Sequence, residues 1–489
     1  METARSPQLD GEHNIMINRR EILDTATRVS LRPDVVEKDY VLGWLLAGIY
    51  AHDAIADSWL FKGGTCFKKC FFETYRFSED LDFTLRDEGQ IDEAFLREVF
   101  SEIGEWVYEQ SGIEMPADKQ AFDIFTNPRG NIACQGKISY AGPISPRTGC
   151  WPRIKLDLVA AERVVRDPVK VSIFHPYSDA PEEGIEVLAY DYVEAFAEKF
   201  RALAERTRPR DLYDVVNLFR NSDALPEQAI FVEVLREKCA FKNIGLPQLA
   251  DLELHRGDVE AGWATMLSHQ MPALLPVNSF WDELPAIFDW LHGAAIPAPT
   301  IAAFPIGGGE AVIRERIFNV PTGVAGQALI ETIRFAAANR LRIDLQYRDR
   351  EGKVTLRTVE PYSLRRSQTG DVRLMATQET DGAPRGFLLS GIINIAVTQR
   401  SFTPRYPIEL TPSGPLSIPQ SFSTATPRVS RPRIARRAAT RTGPTYIFSC
   451  SVCGKQFSRG TMDGTLRAHK NKAGWDCYGT YGIFVRTKY

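Results

Sequence analysis

A chain of 489 residues is too long for a single hydrophobic core and calls for roughly two to four domains. Hydrophobic residues make up 44% and charged residues 25%, and the formal net charge is −3, so no global basic field marks the whole chain as a nucleic-acid binder. No apolar run reaches the ~20 residues of a membrane span, and the polar first 20 residues lack the apolar stretch of a signal peptide, which points to a soluble cytoplasmic protein with no membrane partner.

The N-terminal part reads as a mixed α/β unit. Apolar residues recur at helical spacing over 36–49 and 95–106. Residues 61–85 combine a glycine turn, a helical stretch and an alternating strand. Residues 136–140 and 153–159 alternate as strands with one wet face do. Helical spacing returns at 190–219 and 281–291, and a Pro/Gly-rich stretch at 296–309 then breaks the pattern. Beyond it, one helix (326–339) precedes alternating strands at 341–347, 354–359, 372–377 and 386–389, the pattern of a small β-barrel. In the stretch 411–445, Arg428, Arg431, Arg433, Arg436, Arg437 and Arg441 add six positive charges with no acid among them. That stretch reads as a solvated linker or as a tether for phosphate backbones. The expected division is 1–295 (core about 15–225, helical lobe about 226–295), a linker at 296–325, a barrel at 326–410, the basic linker at 411–445 and a small module at 446–489.

The residues that carry chemistry lie in the first unit. Nucleotidyl transfer requires a triphosphate held in line and its charge neutralised, usually by Mg²⁺, which takes one or two carboxylates beside substrate phosphates. Asp80 and Asp82 are two apart, so on a strand they share a face, with Leu81 and Phe83 turned to the core. Gly63 and Gly64 allow close backbone approach to phosphates, and Thr65 adds a hydroxyl. A third carboxylate is expected from Asp157, which shares a strand face with Arg153 and Lys155. Asp-x-Asp is by itself commonly no more than a solvated strand face; the ordered set of glycine turn, spacer, Asp-x-Asp and distant Asp is more specific.

The glycines, the run Arg76-Phe-Ser-Glu-Asp-Leu-Asp82 and Lys155-Leu-Asp157 resemble the AbiEii/AbiGii family of toxin nucleotidyltransferases, in the DNA polymerase β-like superfamily. Val36-Glu-Lys-Asp-Tyr40, the segment from Ala197 to Ala204 and Arg206-x-x-x-Arg210-Asp-Leu-Tyr-Asp214 extend the resemblance over about residues 15–293. It implies a polymerase-β-like core with a helical C-terminal lobe. It also implies Asp80 and Asp82 as ligands of Mg²⁺ or Mn²⁺, Asp157 as third ligand or base, and Lys199 at the triphosphate. Asp211 would brace the active-site helix or assist directly, and Gly63, Gly64, Thr65, Arg76, Ser78, Lys155 and Lys199 would line the nucleotide. The implied function is transfer from an NTP to an acceptor such as the 3′ end of tRNA, as a toxin in abortive infection with a possible cognate antitoxin. The rival reading is a nucleotide- or nucleic-acid-sensing regulator.

Residues from about 326 to 405 resemble a WYL domain, an Sm-like barrel, through Leu341-Arg-Ile-Asp-Leu-Gln-Tyr347, the segment from Arg357 to Leu364, Arg385-Gly-Phe387 and Phe402-x-Pro-Arg405. Val372-Arg-Leu374 stands where the naming tripeptide would be. The resemblance implies a nucleic-acid or nucleotide ligand met by Tyr347, Arg357, Arg373, Arg385 and Arg405. At the C-terminus, Cys450-x-x-Cys453 with His469 and Cys477 has the donor set of a closed tetrahedral Zn²⁺ site in a knuckle or ribbon. The other five cysteines are scattered through the first half and read as buried thiols.

Overall fold

Pro33 opens a helix where its missing N–H costs nothing, and from Tyr40 to Ala51 its residues are apolar on every side. A helix of that kind belongs inside a core, and α2 (Pro33–Ala51) is buried on all its faces, beside α1 (Arg19–Val29). The computed structural model describes residues 17–410, with short breaks, and 445–488. The expected basic linker therefore lies almost wholly outside the described residues.

In the N-terminal unit, α2 covers a seven-stranded sheet built from β1 (Trp59–Lys62), β2 (Asp80–Leu85), β3 (Gln120–Thr126), β4 (Ile132–Ser139), β5 (Arg153–Val159), β6 (Val169–Ser172) and β7 (Glu186–Ala189). Their spatial order is β3-β4-β5-β2-β1-β7-β6; β2 runs parallel to β5 and β1 to β7, and the other neighbours are antiparallel. The turn after β1 enters the short α3 (Gly63–Cys66), and α4 (Glu93–Ser111) packs beside α2. Between sheet and helices the rings of Trp59 and Phe83 stand 5.3 Å apart and those of Trp59 and Phe100 6.0 Å. Strand β3 was not foreseen. It lies at the sheet edge and leaves Ile124 and Phe125 exposed, so it lacks the apolar-in alternation of a half-buried strand.

Two helices complete the unit: α5 (Tyr192–Arg206), capped by the Asp191 carboxylate, and α6 (Pro209–Arg220). The helical lobe follows as α7 (Gln228–Phe241), α8 (Leu249–Glu253), α9 (Arg256–Leu267), α10 (Asn278–Trp281) and α11 (Leu284–Leu291). Its core is aromatic, with Phe231 4.8 Å from Phe196 and 5.0 Å from Trp290.

The next unit pairs α12 (Gly323–Ala338) with β8 (Ala311–Val312), β9 (Leu341–Arg348), β10 (Val354–Arg366), β11 (Val372–Gln378), β12 (Pro384–Leu388) and β13 (Ile392–Ser401). Five strands run β12-β11-β10-β9-β13, and β8 pairs with β10. The sequence reading stopped β10 too early, at 359. Pro361 has no N–H for the ladder, and the strand passes it through a register shift between Pro361 and Ser363. This unit is tied to the first one: the buried Tyr213 hydroxyl donates to Asn339 Oδ1 at 2.9 Å, and Glu283 receives Arg340 at 2.7 Å and Arg220 at 2.6 Å.

The C-terminal module has a three-stranded sheet, β15 (Gln456–Arg459), β14 (Thr445–Cys450) and β18 (Gly482–Lys488), and a two-stranded pair, β16 (His469–Lys470) with β17 (Asp476–Cys477). It rests on α4: the buried Lys455 ammonium lies 3.4 Å from the Tyr108 ring centroid and donates to the Tyr108 carbonyl at 3.3 Å. Among the described residues, no helix is long and apolar enough to cross a membrane.

Candidate active site

The parallel pairing of β2 and β5 sets Asp80 beside Lys155 and Asp82 beside Asp157. Alternation along both strands leaves these four residues on one face and buries Leu81, Phe83, Leu156 and Leu158 on the other. Gln135 of β4 donates to Asp157 Oδ1 at 3.2 Å. Close carboxylates in a partly dry site disfavour ionisation. Burial, then Asp157 and Asp80, push the Asp82 carboxyl up to about 6, although Lys199 and Lys62 pull it down. Asp80 is raised too, chiefly by burial, against the pull of Lys155, Arg210 and Lys38. Such a group of acids is relieved by a divalent cation, and its hard oxygens suit Mg²⁺ or Mn²⁺.

The glycine turn serves this face in a way the sequence did not disclose. A Cβ on Gly63 would stand 1.9 Å from Asp82 Oδ2, and its φ of +82° is left-handed. A Cβ on Gly64 would stand 2.8 Å from Arg76 Nη2 and 3.1 Å from Ser78 Oγ. The room left by the glycines is thus taken by Asp82, Arg76 and Ser78. Two expectations need correction. The Thr65 hydroxyl is buried and donates to the Asp80 carbonyl, so it braces β2 and does not face a phosphate. Arg76 is buried as well, with Nε and Nη2 on the Asp214 carboxylate at 2.7 and 2.9 Å and Nη1 on Gln270 at 2.8 Å. It joins the turn to α6 and the helical lobe, and does not line a nucleotide.

Lys199 and Asp211 lie together where α5 meets α6. The Lys199 ammonium lies 2.9 Å from Asp214 and 3.7 Å from Asp211, and its charge acts on Asp82. Asp211 is buried and grips Arg206 through both oxygens, at 2.7 and 3.0 Å. The Arg206 side chain stays 47% exposed and feels the charge of Asp82, while Arg210 acts on Asp80. Asp214, Arg206, Arg210 and Gln135 were therefore missed as members of the site. The spacing of Asp211 and Asp214, three apart on α6 and so on one helix face, was a usable signal. Nothing local announced Gln135 or the Arg76 partner 138 residues downstream.

At the other end, the sulfurs of Cys450, Cys453 and Cys477 and a His469 ring nitrogen all lie within 4.8 Å of one another, the one such group among the described residues. Cys450 and Cys477 Sγ are 3.4 Å apart, and Cys453 Sγ is 3.5 Å from His469 Nε2. The backbone N–H groups of Val452 and Gly479 point at Cys450 and Cys477 Sγ, each at 3.4 Å, as donors to thiolates do. Three thiolates and an imidazole with no open position fit structural zinc.

Residues 44–292, just over half of the chain, match the profile of the nucleotidyl transferase AbiEii toxin family of type IV toxin–antitoxin systems. The chain belongs to this family. Residues 328–397 match the WYL domain. Among solved structures, this AbiEii-family chain is similar to MenT4, a nucleotidyltransferase toxin from Mycobacterium tuberculosis, at 19% identity and a TM-score of 0.31, over 45% of this chain and 69% of that one. It is also similar to proteasome accessory factor B/C of Arthrobacter aurescens, at 16% identity and a TM-score of 0.16, over 52% of this chain and 37% of that one. No curated protein matches. The family makes the chain a toxin nucleotidyltransferase, and the acids of β2 and β5 lie inside the matched residues.

The WYL candidates divide. Tyr347 and Arg373 line a pocket of about 360 Å³ with Arg350 and Gly386. Arg357 reaches Gln378 Oε1 at 3.1 Å and stands 5.9 Å over the Phe387 ring, which meets Tyr347 edge-on. Arg385 is paired with Asp381 at 2.6 Å, and Arg405 points toward Glu360 at 3.9 Å. The five do not converge on one place.

Proposed function

We propose that this AbiEii-family toxin transfers a nucleotide from an NTP to acceptor RNA in the cytoplasm, with the 3′ end of tRNA as the leading acceptor. Asp80, Asp82 and Asp157 would hold Mg²⁺ or Mn²⁺. The observation that carries this reading is the register of β2 on β5, which sets Asp82 beside Asp157 with Asp80 on the same face. The cation, when bound, neutralises triphosphate charge and acidifies the acceptor hydroxyl. The chain's own residues do the rest. Lys199, held by Asp214, and Arg206, held by Asp211, present fixed positive charge to the phosphates. Asp157, oriented by Gln135, is placed as third ligand or as acceptor of the hydroxyl proton. The acceptor oxygen then bonds the α-phosphorus, the α–β bridging bond breaks, and pyrophosphate leaves.

In this reading the matched half, with the helical lobe to about residue 295, is the catalytic unit of an abortive-infection effector that a cognate antitoxin restrains. The WYL unit (326–410) is its regulatory input and the zinc module (446–489) a further docking element. Incubation with labelled NTPs, Mg²⁺ and tRNA tests the reading. Label should appear on RNA with the wild type and not with Asp80→Ala; no label on any RNA removes the acceptor claim. A regulatory reading has one observation of its own, the pocket lined by Tyr347, Arg350 and Arg373 together with the acids Asp349 and Glu351, which offers both charges to a small polar ligand.

A further inference from the structure

Lys62 ends β1 just before the glycine turn, and its register partner in β2 is Asp82, so the two residues stand on one sheet face. Its ammonium is buried on the Glu198 carboxylate of α5, 3.0 Å from Oε1, with Glu162 at 3.9 Å. The other Glu198 oxygen accepts from Lys238 of α7 at 2.8 Å, and Lys238 also lies 2.6 Å from Glu194, one turn back on α5. Both ammonium groups stand over the Tyr190 ring, at 5.7 and 5.0 Å. Burial pulls the two lysines down, yet Glu198 holds each above the ordinary lysine range, so the set stays ionised.

Buried ion pairs gain little over apolar side chains of similar volume, so stability alone does not account for this set. What it fixes is an angle. On α5, Glu194 and Glu198 share one face, and Lys199 projects about 100° round the axis from Glu198. The first face is gripped by Lys62 of β1 and Lys238 of α7, and Lys199 by Asp211 and Asp214 of α6. Side chains end about 5–6 Å from a helix axis, so a turn of about 10° carries the Lys199 ammonium about 1 Å. A misplacement of that size can cost about 100-fold in rate.

We propose that Glu198 is a positioning residue for nucleotide transfer: by joining Lys62 at the glycine turn to Lys238 of the helical lobe, it sets the rotation of α5 and so the place of the Lys199 ammonium. The task of Lys199 at the phosphates rests on the reading above; the ion pairs that hold α5 do not.

The test removes one ion pair whole. Lys62→Met with Glu198→Met leaves Lys238 on Glu194 and Glu162 on Lys242, which is 2.9 Å away. The urea midpoint of this double variant should match the wild type. Its affinity for a labelled NTP in Mg²⁺, and its kcat/KM for transfer to RNA, should each fall about tenfold or more. In a Lys199→Ala background both losses should shrink to within about twofold, because changes that act through one group do not add. A role in packing alone would leave them whole. If the methionine pair lowers the midpoint, Glu198→Gln, which keeps the shape and drops the charge, is read in the same way. Wild-type affinity and rate in these variants, or losses undiminished without Lys199, would overturn the proposal. RNA labelling separates the two readings. If NTP affinity follows this pattern while the wild type labels no RNA, the acceptor reading fails and this one stands. If the wild type labels RNA and the pair leaves affinity and rate untouched, the reverse holds.

Discussion

Asp82→Asn should stabilise the metal-free protein while abolishing nucleotide transfer. Burial and the neighbouring Asp157 lift the Asp82 carboxyl from 3.8 to about 6 in the fold. A group raised in this way favours its protonated form in the native state. Its penalty is therefore absent below about pH 4, grows as the pH rises through about 6, and is complete at pH 7.5. Two units correspond to about 3 kcal/mol, and the amide, which has nearly the same shape and no charge, should recover ~1–3 kcal/mol of it. Thermal unfolding in EDTA at pH 7.5 should show the variant a few degrees above the wild type. Near pH 4 the two should coincide. Added Mg²⁺ should raise the wild-type transition by ligand linkage and leave the variant almost unmoved. A variant less stable than the wild type in EDTA at pH 7.5, or equally favoured at pH 4, would refute the idea that like charge is stored on this face.

Asp214→Asn should cost ~3–5 kcal/mol, because it leaves Arg76 and Lys199 buried without their shared carboxylate; a loss below 1 kcal/mol in urea unfolding would show that Asp214 is not their anchor. Arg206→Ala should lower kcat/KM for the NTP about tenfold or more, and Arg206→Lys should not rescue it, since an ammonium cannot reproduce the two-point grip on Asp211. Steady-state kinetics decides, and recovery with lysine would assign Arg206 to plain charge. Cys477→Ser, or a strong chelator, should unfold the C-terminal module and free Lys455 from Tyr108. Faster hydrogen exchange in the last turns of α4 would report it, and unchanged protection there would mean that the module holds without metal.

Much of this arrangement was legible from the residues, and the reason is the range over which each signal acts. The acids of β2 and β5 stand in strict alternation with Leu and Phe, so period two alone assigns Asp80, Asp82 and Asp157 to a wet face. The zinc donors are legible for a similar reason, since a knuckle spacing is local chemistry. Arg76 was misread because its position next to the acids resembles that of a phosphate ligand, while its two partners, Asp214 and Gln270, come from distant helices. Thr65 was misread because a hydroxyl after two glycines suits a phosphate as well as it suits a neighbouring carbonyl. Strand β13 was overlooked since Ile392–Ser401 is largely exposed and has no buried stripe to reveal it.

The hydrogen bond from Tyr213 to Asn339 matters for anyone who divides this chain. Tyr213 precedes Asp214, the residue that steadies both Arg76 and Lys199. A fragment trimmed to the family match would strip a buried phenol of this acceptor and deprive Glu283 of Arg340, one helical turn or so from the grip on the lysine. Low turnover in such a fragment would then measure the excision, and the smallest unit that keeps both contacts extends past the homologous segment to Arg340, just beyond α12.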